Sequence, residues 1–102
     1  MSKASSQMAG IKGQDYQNGA GTIVAPTGKK IKAIAIQVAT NITNFKYTPK
    51  KNDGSDLDQV TVSNKGYMGI ELDPTGPTSW IALEYDADSV TIASGGIFVY
   101  YG

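Results

Sequence analysis

The chain has 102 residues, with nine lysines balanced by nine acidic side chains, so its net charge is zero. At 40% hydrophobic and 18% charged residues it has apolar material for one small core and too little charge for a disordered chain. Histidine, cysteine and arginine are all absent, which excludes His/Cys zinc sites, disulfides, thiol nucleophiles, Ser-His-Asp triads and bidentate arginine clamps. The composition points to a non-enzymatic binding or structural protein that uses no cofactor.

Residues 1–10 read MSKASSQMAG and hold no apolar run of the roughly 7–15 residues that a secretory signal needs. The longest apolar-biased run, 31–39, is broken by Lys32 and Gln37 and falls well short of the roughly 20 residues of a membrane-spanning helix. The expectation is a protein made and used in a cytoplasm, without membrane insertion. Residues 1–21 are rich in Ser, Gly, Gln and Ala, and no helical or strand period runs through them. They read as an N-terminal arm, either flexible or ordered by a partner, with Ile11 and Tyr16 as its anchors.

From Thr22 onward, β-branched and aromatic runs alternate with turn clusters. The runs are 22–25, 30–38, 42–48, 59–63, 67–72, 80–85, 89–93 and 97–101. Val60 and Val62 share a face by period-2 alternation, as do Met68, Ile70 and Leu72, and as do Val90 and Ile92. Ile34, Ile36 and Val38 share another, with Ala33 and Ala35 behind them, which marks a central strand covered on both sides. No helical pattern competes. Residues 22–102 are therefore expected to form a single all-β domain, an antiparallel β-sandwich or jelly roll of about eight short strands.

The polar clusters read mainly as solvated surface. The loop 52–58 (NDGSDLD) is acidic, but its spacing does not match a calcium loop and no helix flanks it, so no metal is expected. The carboxylate pairs Glu71/Asp73, Glu84/Asp86 and Asp86/Asp88 could each share a strand face, yet all sit at strand ends beside turns. The lysines at 29, 30, 32, 46, 50 and 51 interleave with Phe45 and Tyr47. A zero net charge without arginine argues against nucleic-acid binding and for a solubilising strand edge.

Charge is asymmetric along the chain. Residues 1–51 hold eight lysines and one acid, and residues 52–102 one lysine and eight acids. Such a dipole could steer copies of the chain onto one another or onto a larger assembly, unless folding intermixes the two halves. Aromatic residues gather late, at Tyr67, Trp80, Tyr85, Phe98, Tyr100 and Tyr101. In the last run, 97–101 (IFVYY), Ile97, Val99 and Tyr101 face one way and Phe98 and Tyr100 the other. One of Tyr100 and Tyr101 should lie in the core and the other at a subunit interface. The candidate interface residues are Ile11, Tyr16, Tyr100 and Tyr101.

The segment 21–38 (GTIVAPTGKKIKAIAIQV) and the ending 89–102 (SVTIASGGIFVYYG) resemble small structural proteins of tailed bacteriophages. In those, a T-x-x-A-P-x-G-K hairpin opens the domain and a G-x-x-x-x-Y strand closes it. The resemblance covers about a third of the chain. It implies a β-rich virion protein, foremost a capsid decoration or cement protein assembled in the host cytoplasm. Such a protein would be a homo-oligomer, trimers being common in the group, and would bridge subunits of a major capsid protein. The alternative is a tail, neck or fibre component that binds glycan through surface aromatics.

Overall fold

The computed structural model describes residues 13–102 of the chain, and Ile11 lies outside them. These residues form five strands and no helix: β1 (Gln14–Asn18), β2 (Gly21–Val24), β3 (Ile31–Tyr47), β4 (Val60–Val62) and β5 (Trp80–Tyr101). The fold is all-β, as the alternation implied, but five strands stand where eight were expected. The clusters 39–41, 86–88 and 94–96 bend the chain without breaking its pairing. Runs 30–38 and 42–48 therefore merge into β3, and 80–85, 89–93 and 97–101 merge into β5.

The long ladder between β3 and β5 is antiparallel in register. As the β3 number climbs from Ile31 to Tyr47, its partner falls from Tyr101 to Ala87. β1 and β2 lie along the outer side of β5, opposite residues 96–100 and 89–92. On the far side of β3, residues 80–82 of β5 cover the first half, while β4 covers the second. β3 is thus paired along both edges and is a central strand, although its alanine face turns away from the core.

All the long segments bend along one line. Gly19 donates its N–H to the Gly95 carbonyl at 2.7 Å, and Thr40 of β3 lies against Gly95 and Gly96. Gly95 has φ +100°, and a Cβ there would land on the Ala39 carbonyl oxygen and the Thr40 side chain. Only glycine fits this place without displacing its neighbours. The bend is deep. A straight 17-residue strand spans roughly 50 Å, yet Ile31 and Tyr47, at opposite ends of β3, both register on Ala87. The ribbon folds back on itself.

Folding back brings both halves to one core. Ile31, Ile34 and Ile36 from the first half join Ile42 and Phe45 from the second, with Val90, Ile92, Ile97 and Val99 of β5. A bulge at the start of β3, where Ile31 opposes Tyr101 and Ala33 opposes Tyr100, lets Ile31 and Ile34 both point inward while Lys32 stays exposed.

Two local readings are corrected. Residues 67–72 form no strand: Gly69, at φ +74°, turns the chain, so Met68 and Leu72 are buried while Ile70 is 51% exposed. The segment is pinned over the bend by paired Thr40 and Leu72 backbone hydrogen bonds of 3.0 and 2.7 Å. The boundary expected after residue 21 also shifts, because Gln14–Asn18 form a strand of the sheet rather than an arm waiting for a partner. The partner is the chain's own C-terminal segment, whose exposed backbone edge needs no apolar alternation to be paired.

Candidate functional site

The register of the first half of the sheet sets four side chains in a row. Tyr16 of β1 lies opposite Phe98, Phe98 opposite Ala35, and Ala35 opposite Trp80. The next row holds Tyr100, Ala33 and Ala82. All are on the face turned away from the core residues Ile34, Ile97 and Val99. The rings touch in tilted pairs: Tyr16 and Phe98 at 4.8 Å between centroids, Trp80 and Tyr100 at 5.1 Å. Trp80 and Tyr100 belong to segments on opposite sides of β3, so they meet over the central strand. They can do so because β3 offers only methyl groups beneath them, at Ala33 and Ala35.

Val38 extends the patch up to the bend, where its side chain and the Tyr16 hydroxyl both crowd Gly96. The resulting face comprises Tyr16, Val38, Trp80, Phe98 and Tyr100. Tyr16 is 40% exposed, Val38 47% and Trp80 55%. None of the five carries a charge.

Of the expected interface residues, Tyr16 and Tyr100 lie on this face. Tyr101 does not: it is buried with the core, and its hydroxyl donates to an Asp15 carboxylate oxygen at 3.3 Å. Burial first, and then the negative charge of Asp15, push its phenol up to about 12. Trp80, Phe98 and Val38 complete the face although they were not singled out as interface residues. Phe98 shares the parity of Tyr100 and was within reach of the alternation argument, whereas Trp80 joins through a pairing that spans the chain.

The charged clusters are engaged within the fold. Asp88 pairs with Lys30 and accepts from the Thr48 hydroxyl at 2.5 Å and the Gln59 amide at 3.0 Å. Burial pushes its carboxyl up, but hydrogen bonds from Lys30, Thr48 and Gln59 outweigh it and hold the group at about 2. Asp86 pairs with Lys32 at 2.8 Å and Glu84 with Lys65 at 2.8 Å. Lysines of the first half thus meet acids of the second, and folding intermixes the charge asymmetry seen along the chain. In the acidic loop, Asp53 caps its own turn by accepting from the Ser55 N–H and hydroxyl, and Asp56 pairs with Lys50. Among the described residues no group of three or more acidic, histidine or cysteine side chains converges as a metal site would require.

A second aromatic feature lies where the ends of β3 meet β5. Tyr47 and Tyr85 stack at 4.2 Å with 5° between their planes, beside a shallow cleft of about 410 Å³. A comparable cleft lies at the bend among Gln37, Val38, Ala39, Glu71, Asp73 and Pro74. Comparison of the chain with protein families, curated proteins and solved structures finds no match.

Proposed function

We propose that this chain is a non-enzymatic assembly protein, a small β-sandwich made by folding back one long ribbon, whose aromatic face is its docking surface. The observation that carries the reading is the patch in which Tyr16, Val38 and Trp80 are exposed beside the half-buried rings of Phe98 and Tyr100. A contiguous aromatic patch on a small domain is costly to leave in water, and tryptophan and tyrosine dominate the energetics of interfaces. The occupant we assign is a second copy of the chain. A face without charge can meet its own kind with no like-charge repulsion, as a symmetric oligomer requires. The phage resemblance of 21–38 and 89–102 supplies the setting, a capsid decoration protein that bridges the major capsid protein. There, small gains per copy multiply over the lattice.

The test is sedimentation of the purified chain with capsids and, separately, with tails, alongside its oligomer mass in solution. Co-sedimentation with capsids and a defined oligomer, both lost in Trp80→Ala, support the reading. A monomer that binds neither particle overturns it. A second reading, a tail or fibre component that binds glycan, draws on the 55% exposure of Trp80; it is favoured if the chain follows tails and binds sugar through that ring.

A further inference from the structure

We infer that the cleft beside Tyr85 is a binding site for a neutral pyranose ring, separate from the aromatic face and independent of the assembly reading. Three rings form a column from the core to the surface. Phe45 is fully buried; the Tyr47 ring lies 6.3 Å from it, and the Tyr85 ring stacks on Tyr47 at 4.2 Å. Tyr85 stacks on Tyr47 and is still 44% exposed to water. A ring braced from behind in this way is already ordered, and a ligand that stacks on it pays little to fix it.

The cleft, of about 410 Å³, is lined by Tyr47, Thr48, Pro49, Glu84, Tyr85 and Asp86. That volume lies within the roughly 300–1,000 Å³ of ordinary small-molecule sites. Its polar side chains are the Thr48 hydroxyl and the Glu84 and Asp86 carboxylates, and each carboxylate is balanced by a lysine 2.8 Å away, Lys65 and Lys32. A pyranose offers what these surroundings lack, an apolar C–H face for the tyrosine ring and hydroxyls that both donate and accept. A cation would find both carboxylates already neutralised by lysine. A phosphate or a nucleic acid would likewise meet ion pairs whose charges already balance, with no excess positive charge to hold it.

Saturation-transfer NMR with the methyl pyranosides of glucose, galactose, mannose and N-acetylglucosamine, on the full chain, tests the site. Transfer to the C–H protons of at least one sugar is expected. It should be lost, or weakened at least about tenfold, in Tyr85→Ala, retained in Tyr85→Phe, and weakened several-fold in Asp86→Ala, which leaves the ring in place should Tyr85→Ala fail to fold. Trp80→Ala should leave it unchanged. No transfer to any of the four sugars overturns the inference, and so does transfer that depends on Trp80 and survives Tyr85→Ala. Oligomer mass should be the same in Tyr85→Ala and wild type, so failure here and failure of the assembly reading are told apart.

Discussion

The side-chain oxygen of Thr40 accepts the backbone N–H of Gly96 at 3.1 Å across the sheet. The pairing skips here, from Val38 with Gly96 to Asn41 with Ser94, three steps against two. A fully buried hydroxyl therefore supplies the bond that the ladder lacks, and donates in turn to the Val38 carbonyl at 2.6 Å. Replacing Thr40 by the near-isosteric valine should leave a buried N–H without its partner and cost about 1–3 kcal/mol in urea unfolding. Thr40→Ser should recover most of it.

Gly95→Ala strikes the same bend from the other strand. It combines a positive φ with a collision against the Thr40 side chain, and should cost about 2–5 kcal/mol. Gly28, at φ +83° with open space around it, is the control; Gly28→Ala should cost only about 1 kcal/mol. Equal midpoints for the two variants would refute a packed bend at Gly95.

Asp88 should govern acid stability. Its folded pKa is depressed, so its contribution is complete above the unfolded value near 3.8 and is lost as pH falls from there toward about 2. The side chain is only 18% exposed, and the shift corresponds to about 2 kcal/mol. Asp88→Asn should therefore lower the melting temperature at pH 7 and flatten its decline between pH 4 and 2. An unchanged acid limb in the variant would show that other carboxylates carry it.

The two adjacent tyrosines should separate cleanly. Tyr101→Ala, from the core, should cost roughly 3–5 kcal/mol of folding stability. Tyr100→Ala should leave melting close to wild type while weakening association by about 1–3 kcal/mol. Tyr101 adds an alkaline signature. Its folded pKa is raised to about 12, so its stabilisation is whole below pH 10 and fades as pH rises toward 12, when the unfolded chain ionises first. Tyr101→Phe should lack that fade.

The chain has one tryptophan, so its fluorescence reports the face directly. Ala35→Leu puts a bulky side chain under the rings where Trp80 reaches toward Tyr100. Trp80 emission should move to the red, and oligomer mass should fall. Unchanged emission would mean that the small residues of β3 do not set the ring contact.

The candidate face was half legible in advance. Opposite orientation of Tyr100 and Tyr101 follows from strand geometry alone, and so does the shared side of Phe98 and Tyr100. Which of the two tyrosines goes inward does not follow, because both are large and amphipathic. Neighbours decided it: Tyr101 finds Asp15 of β1 for its hydroxyl, and Tyr100 finds Trp80 over two alanines. Trp80 and Tyr100 are twenty positions apart in one strand that passes on both sides of β3. Such a meeting leaves no mark in either local segment.

Local alternation determined what a short stretch of chain decides for itself. The chain is all-β because its apolar residues repeat with period two. The number of strands, the inclusion of Gln14–Asn18 and the failure of Met68, Ile70 and Leu72 to share a face were decided only in three dimensions. At 39–41, 86–88 and 94–96 the sequence shows turn residues, but a turn ends a strand only if pairing stops there. Here Thr40 and Gly95 keep the ladder joined through the bend. Pairing is a property of two segments distant along the chain, and which backbone edge lies within reach is set by the whole fold.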